Sequence, residues 1–470
     1  MREIPVEAVP LAPYAAALGE ERLAAVRADA ALTARALRGR TVWNVNSTAG
    51  GGGVAELLHA LLPLARALGV DARWLVIDGD EEFWATTKRL CTRLYGEPAD
   101  DGALGPAELA HYRRVTAQNA RGLAGFVRPG DVVVVHEAHP AGLVEEAGRL
   151  GATVVWRRHT ARDEPNEHTR EGWAFLRRFV ERADATVFLT GSARQDWAPR
   201  PHVIPPSIDP CSPKNFELDG GQVVAVLRAS GLLSGGGGPV EVAPPLGGPV
   251  TVGREVVAVR EGGPPDPATP LVVQVSRWDE LKDMSGVLRA FLASGGHGAE
   301  LVLAGADVTG VSDDPDAARF FELCRVEWAA LPVEQRRRVH LVCLPMDDLR
   351  ENAVVVNALQ RHAAVVVQKS LAEGFGLTAT EAMWKGRPLL ASAVGGLREQ
   401  VVHGESGLLL EDPRDVAGAA RLLGDLLSDP ALARRLGEGA RRRVSERYLP
   451  DRHLGDWGRL VRAAVSAEVV

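Results

Sequence analysis

The chain has 470 residues, 46% hydrophobic and 24% charged, a composition that excludes disorder throughout and a length that excludes a disulfide-stapled miniprotein while leaving room for two to four domains. With 61 acidic against 54 basic residues the net charge is −7 and there is no lysine-rich tail, so no nucleic-acid partner is expected, whereas a small anion in a local pocket is allowed. Fifty glycines and thirty prolines make 80 of 470 residues, about 17% against an average of about 12%, an excess that needs a local explanation. Cys91, Cys211, Cys324 and Cys343 are scattered without C-x-x-C spacing, which fits neither a zinc knuckle nor a disulfide framework and suits a reducing, cytoplasmic setting. The N-terminal stretch lacks a basic region followed by an apolar one, and no run reaches about 18 apolar residues, so neither a signal peptide nor a membrane partner is expected.

Short Val-rich runs alternate with helical patterns in two series, the sequence form of parallel sheets covered by helices. The first series predicts strands at Thr41–Asn46, Arg73–Ile77, Asp131–His136, Thr153–Trp156, Thr186–Thr190 and His202–Ile204. Its clearest helix follows the first strand: Val54, Leu57, Leu58, Leu61, Ala65 and Leu68 keep helical spacing, Gly69 suits the position after the C-cap, and Pro63 predicts a kink. The second series predicts strands at Leu271–Ser276, Glu300–Ala304, Val339–Cys343, Ala363–Gln368 and Leu389–Ser392. Two Rossmann-like domains follow: an N-terminal one over 1–205, to which a last helix within 450–470 can return, and a C-terminal one over 206–449. The prolines of Pro205–Pro210 stiffen the passage between them. In 219–270, glycine and proline supply 20 of 52 residues, which reads as an insertion or mobile loop with too many breakers for a regular core element.

Three segments at predicted strand ends can carry chemistry. Asn46–Val54 holds four consecutive glycines, Gly50, Gly51, Gly52 and Gly53, before a helix; such a loop brings backbone N–H groups and a helix N-terminus close to an anion, or is simply a tight turn. It lacks the Gly-Lys-Ser/Thr of a Walker A loop and the spacing of a dinucleotide fingerprint. After the first strand of the second series, Arg277 and Lys282 can converge on a diphosphate, or can form surface ion pairs with Asp279, Glu280 or Asp283. The segment Lys369–Met383 sets Glu373 in a Gly-rich turn and Glu381 one or two turns along the next helix, where carboxylates accept from sugar hydroxyls and loop amides meet phosphate oxygens; the bland alternative is a helix cap with a solvated glutamate.

Glu373 and Glu381 match the E-x₇-E motif, and Arg277 with Lys282 the diphosphate-binding pair, of the retaining GT-B glycosyltransferases of family four, which the chain resembles over residues 40–450. Within that group VWNVNSTAGGGGVAELL, PPSIDPCSPKN, VSRWDELKD and QKSLAEGFGLTATEAMWKGRP resemble the segments of the trehalose synthases, which join a nucleotide-activated glucose to free glucose. The resemblance implies an α/β protein of GT-B type, with two Rossmann-like parallel-sheet domains facing a cleft. It implies that Glu381 holds the ribose hydroxyls, that Glu373 and the amides of Gly374, Phe375, Gly376 and Leu377 hold the donor sugar and its phosphate, and that Arg277 and Lys282 stabilise the departing diphosphate. Gly51, Gly52 and Gly53 would face that phosphate or the acceptor, and His159 falls where the family has a histidine touching the donor sugar, although a lone histidine at a strand end is more often structural. Gly395 and Gly396 would support the site indirectly. Two segments depart from the trehalose synthase pattern, His159–Glu164 and His136–Pro140, and both lie in the acceptor-side half.

The implied activity is retaining, metal-independent glucosyl transfer from a nucleotide diphosphate glucose to a small sugar acceptor, glucose first among them. No cofactor is expected; UDP-, ADP- or GDP-glucose would be the donor substrate. No Asp-x-Asp metal motif follows a strand, and Asp313-Asp314 reads as loop. Phosphorolysis of a disaccharide on the same fold, transfer to another small acceptor, epimerisation of the donor alone and non-catalytic nucleotide-sugar binding are the alternatives. The sequence allows a homodimer.

Overall fold

The computed structural model describes every residue except Gly51, 99–101, 161–164, 309–314 and 467–470. The chain divides into two compact units, Met1–Ser207 with Tyr448–Val470, and Ile208–Arg447.

The N-terminal unit runs β1 (Arg2–Ile4), α1 (Ala12–Leu18), α2 (Glu20–Ala36), β2 (Val42–Asn46), α3 (Gly53–Ala67), β3 (Ala72–Val76), α4 (Glu81–Leu94) and α5 (Pro106–Leu123). It continues through β4 (Val132–His136), α6 (Val144–Arg149), β5 (Thr153–Arg157), α7 (Glu167–Val180), β6 (Ala185–Phe188) and β7 (Pro201–Val203). The strands form one sheet in the order β1-β3-β2-β4-β5-β6-β7, parallel except for β1 at the edge. The all-buried runs of β4 and β5 suit central strands covered on both faces. On one face Leu75, Val133 and Trp156 pack among the side chains of α4, α5 and α7. Helix α3 runs through Pro63 as one element and ends as its sequence requires: Gly69 takes φ +89°, its N–H meets the carbonyl of Arg66 and the N–H of Val70 that of Ala65.

The C-terminal unit begins with α8 (Gly220–Ala229), β8 (Val240–Val242), β9 (Val250–Val252), β10 (Val257–Val259), β11 (Leu271–Val275), α9 (Met284–Ala293) and β12 (Glu300–Ala306). Then come α10 (Pro315–Ala329), α11 (Val333–Arg336), β13 (Val339–Leu344), α12 (Leu349–His362), β14 (Val365–Gln368) and α13 (Leu377–Trp384). It closes with β15 (Leu389–Ser392), α14 (Gly395–Gln400), β16 (Leu408–Leu410), α15 (Val416–Ser428) and α16 (Pro430–Arg447). The sheet order is β10-β13-β12-β11-β14-β15-β16, parallel except for β10. The last helix, α17 (Pro450–Ser466), belongs to the N-terminal unit, where Leu460, Val461 and Trp457 pack with Val132, Val134 and Ile204.

Residues 219–270, which by composition read as an insertion or mobile loop with too many breakers for a regular core element, do contain regular elements. They hold α8, the antiparallel hairpin β8–β9 and the edge strand β10. Asp219 caps α8 in a box with Gln222, Val223, Val226 and Leu227 give it a buried stripe, and Glu351 of α12 accepts the N–H groups of Gly253 and Arg254. The breakers gather in the connections, so a count over the whole window hides the short apolar elements between them. Strands β1 and β16, three residues each, are likewise too short for a periodicity to show.

Candidate active site

Taken in their own order, the parallel strands of the C-terminal unit run 3-2-1-4-5-6, so consecutive chain connections diverge between β11 and β14. A ligand crevice opens outside the carboxyl ends of the strands at such a switch point. The loops leaving β11 and β14 carry Arg277 and Lys282 on one side and Lys369 and Glu373 on the other.

These two loops are tied together. The Gln274 side chain in β11 donates to the carbonyl of Lys282 at 2.7 Å and accepts the N–H of Lys369 at 3.0 Å. Leu371 donates its N–H to Leu281 at 2.7 Å. Lys282 Nζ donates to Glu373 Oε2 at 2.6 Å, Ser370 Oγ donates to the same oxygen at 3.2 Å, and Lys369 pairs with Asp283. Asp283 itself has φ +45° and caps α9 through the N–H of Gly286. Arg277 stands apart from this cluster: its side chain is 69% exposed and pairs with Asp279 at 3.0 Å, one of the surface ion pairs open to it. The structure thus joins Lys282 to Glu373 and leaves Arg277 on a solvated arm.

Gly376 caps α13 at φ +89°, which places Leu377 at the first helical position and Glu381 just over one turn along. The Glu381 carboxylate is buried, with Lys214 Nζ 3.7 Å away. Behind it, Lys385 Nζ donates to Asn215, Gln360 and the Glu381 carbonyl, and burial pushes this amine down to about 7. The turn Glu373–Phe375 is clamped from the next strand end. A Cβ on Gly395 would lie 1.7 Å from the Glu373 carbonyl oxygen, one on Gly396 2.5 Å from Phe375 Cα, and Gly396 donates its N–H to Gly374 at 3.1 Å.

In the N-terminal unit the parallel strands run 2-1-3-4-5-6, and the switch point lies between β2 and β4. The glycine loop leaves β2 there. Asn46, at the end of β2, donates to the Thr48 carbonyl at 2.7 Å and accepts from Trp74, and Thr48 Oγ1 donates to the carbonyl of Gly50. Gly52 caps α3 at φ +80° with no atom within 4 Å of where a Cβ would stand, and Gly53 is the first helical residue. Gly51 lies outside the described residues, as do Ala161–Glu164 and Asp313-Asp314.

His159 follows β5 and is fixed from two sides. Glu137, at φ +69°, accepts the His159 N–H at 2.6 Å and pairs with Arg158 at 2.8 Å. The imidazole lies 2.8 Å from His136 Nδ1, and His136 Nε2 lies 3.0 Å from Asn44 Oδ1. Since that amide oxygen only accepts, His136 donates to it through Nε2 and receives the His159 Nε2–H at Nδ1. Burial and the nearby Arg157 hold both histidines neutral, well below the usual imidazole range. Sequence reasoning singled out His159 but gave no role to His136, Glu137, Lys214 or Lys369. Part of the signal is local: HEAHP departs from the trehalose synthase pattern and PPSIDPCSPKN resembles a segment of it, yet the partners stand far apart in the chain.

Residues 44–195 match the family described as trehalose synthase, N-terminal domain, and residues 350–443 match glycosyl transferases group 1. Over 453 residues the chain is 33% identical to the trehalose synthase of Pyrococcus horikoshii, covering 94% of each, and over 426 residues it is 33% identical to that of Rubrobacter xylanophilus, covering 89% of each. The chain is 27% identical to the trehalose phosphorylase of Pleurotus pulmonarius, over 85% of this chain but 54% of that protein. Among solved structures, a UDP-forming α,α-trehalose-phosphate synthase from Burkholderia vietnamiensis superposes with TM-score 0.66 at 15% identity, over 92% of this chain and 99% of that one. Sucrose-phosphate synthase from Thermosynechococcus elongatus gives 0.64 at 18%, over 91% and 100%. At those identities the likeness is one of fold.

Proposed function

The chain belongs to the trehalose synthase family of glycosyltransferases and has the GT-B fold, and from that premise we propose that it transfers glucose, with retention at the anomeric carbon, from a nucleotide diphosphate glucose to glucose, giving trehalose. The observation that carries the reading is the Lys282–Glu373 pair held across the switch point of the C-terminal unit. There Lys282, with Arg277 swinging in from its exposed arm, neutralises the charge that grows on the leaving diphosphate. Glu373 and the amides of Gly374, Phe375, Gly376 and Leu377 at the start of α13 hold the donor sugar and its phosphate, and Glu381 accepts from the ribose hydroxyls. In the N-terminal unit His159 meets the donor sugar, and the loop of Gly51, Gly52 and Gly53 meets phosphate or acceptor. The leaving phosphate oxygen helps accept the proton of the incoming hydroxyl on the same face of the sugar. Catalysis then rests on positioning and leaving-group stabilisation, with no protein nucleophile. We assign no cofactor and no metal requirement.

Incubation with UDP-, ADP- and GDP-glucose and a panel of acceptors that includes glucose tests this reading, with products identified by mass and anomeric NMR. Trehalose from one of these donors with glucose is the expected product. Product from glucose 1-phosphate without nucleotide would establish the phosphorylase reading instead, conversion of donor alone an epimerase, and binding without turnover a non-catalytic role. Activity unchanged by EDTA is expected; loss on chelation with recovery on Mg²⁺ or Mn²⁺ would overturn metal independence.

A further inference from the structure

The N-terminal unit holds a cavity to which the proposed reaction assigns no ligand; Asn44 and His136, whose hydrogen bonds fix His159, are among the residues that line it. It has a volume of about 400 Å³ and lies between α2, α3, α17 and the face of β2 and β4, within the size range of sites for drug-sized molecules. Most of its wall is apolar, with Leu58 and Leu61 of α3, Val26 of α2, Trp457 and Val461 of α17, and Val134 of β4, and charged side chains stand at its edges. A free sugar, with hydroxyls on every edge, would lose its hydration against such a surface without replacement.

Most charges on this wall are matched. Arg22 pairs with Asp451, Asp29 with Arg462 at 2.8 Å, and Arg452 and Arg459 with Asp456. Arg157, at the end of β5, is different. It is 1% exposed; Nη1 lies 3.1 Å from His453 Nε2, Nη2 donates to the Ile204 carbonyl at a long 3.4 Å, and Nε has no partner. Among the described residues no carboxylate pairs with its guanidinium. Glu137, whose charge reaches it, has both oxygens committed to Arg158 and to the His159 N–H. Trp457 offers its ring face 5.2 Å away, which accommodates a cation without neutralising it. Burial lowers the Arg157 pKa to about 9, so the group is still a cation at neutral pH. A buried, uncompensated cation is strongly unfavourable, and an incoming anion supplies what it lacks.

We propose that this cavity is a binding site for an aliphatic carboxylate, with the chain along the leucines of α3 and the carboxylate as the counter-charge of Arg157. Both halves of that ligand follow from the wall: a small inorganic anion leaves the apolar lining empty, and an uncharged aliphatic alcohol leaves Arg157 unpaired.

Titration of the intact protein with sodium decanoate below its micellar range, followed by tryptophan fluorescence and thermal shift, tests this proposal without reference to turnover. Decanoate is expected to bind saturably and at least tenfold more tightly than 1-decanol or sodium acetate. Arg157→Met should abolish the advantage of decanoate over decanol, and Leu61→Trp, which fills the cavity, should remove binding of both. Equal affinity for decanoate and decanol in the unaltered protein, no saturable binding of decanoate, or unchanged binding in a folded Leu61→Trp variant would each overturn it. The comparison of the three ligands on the unaltered chain decides the matter even if neither variant folds.

Discussion

Lys282 meets Glu373 at 2.6 Å while both are largely buried, so the ammonium is held where a diphosphate oxygen can replace or share its carboxylate partner. Lys282→Met removes the cation and is expected to lower kcat by about 100-fold or more, the scale seen when one pre-organised donor to a developing charge is lost. Steady-state kinetics, with circular dichroism as a check on folding, measures it; an unchanged kcat would remove Lys282 from the mechanism. Glu381 predicts a different signature. Its buried carboxylate is proposed to grip the donor's ribose, a contact made equally in ground and transition states, so Glu381→Gln should raise the donor KM by about tenfold with a smaller change in kcat. At this scale the sequence pattern singles out Glu373 and Glu381 but does not say which cation each one meets. Lys369 pairs with Asp283 across 86 positions, and no local pattern encodes a contact at that separation.

The elements matter through how closely their ends approach. Helix α14 opens on Gly395 and Gly396, which sit against the turn that carries Glu373, and a Cβ on Gly395 would overlap the Glu373 carbonyl oxygen. Gly395→Ala should therefore push that turn away and reduce turnover by about 100-fold, the loss expected for roughly 1 Å of misplacement. Initial rates for this variant beside Gly404→Ala, whose site has open space but a comparable positive φ, separate displacement of the turn from backbone strain. Helix α3 shows how far local chemistry reaches: its apolar stripe and the C-terminal glycine were readable because they satisfy 3.6-residue periodicity and left-handed capping within the element. Helix α8 shows the opposite, because ten residues that open on two glycines and run into a glycine-rich connection are too few to stand out.

On the scale of the whole molecule, α17 returns some 250 residues after the passage at Pro205–Pro210 to complete the N-terminal unit. His453 of α17 accepts at Nε2 from Arg157 and Trp457 and hydrogen-bonds Ser207 through Nδ1. His453 and His136 are both buried, and burial, with Arg157 nearby, holds their pKa values well below 6.5. Below about pH 6.5 the unfolded chain binds protons at these positions that the folded chain refuses, so stability falls as pH falls, by up to about 1.4 kcal/mol per pH unit for each histidine. Urea midpoints between pH 7.5 and 5.5 should show this slope, to which His159 adds in the same sense, and His453→Gln should remove about a third of the contribution of His136, His159 and His453. A slope identical in the variant would show that His453 carries no such linkage.

The sequence by itself determined what periodicity and local backbone chemistry encode: two series of buried parallel strands, the glycine that ends α3, the glycine-rich strand ends and the spacing of Glu373 and Glu381. Those features arise from residues a few positions apart, whose preferences survive in any context. Only the tertiary structure decided that 219–270 is ordered against α12, that Lys282 rather than Arg277 meets Glu373, that His136 and Glu137 hold His159, and that Arg157 faces an apolar cavity without a counter-ion. Each of these is a pairing between distant segments, set by strand order and burial, and the energy that fixes it exists only once the sheets have assembled.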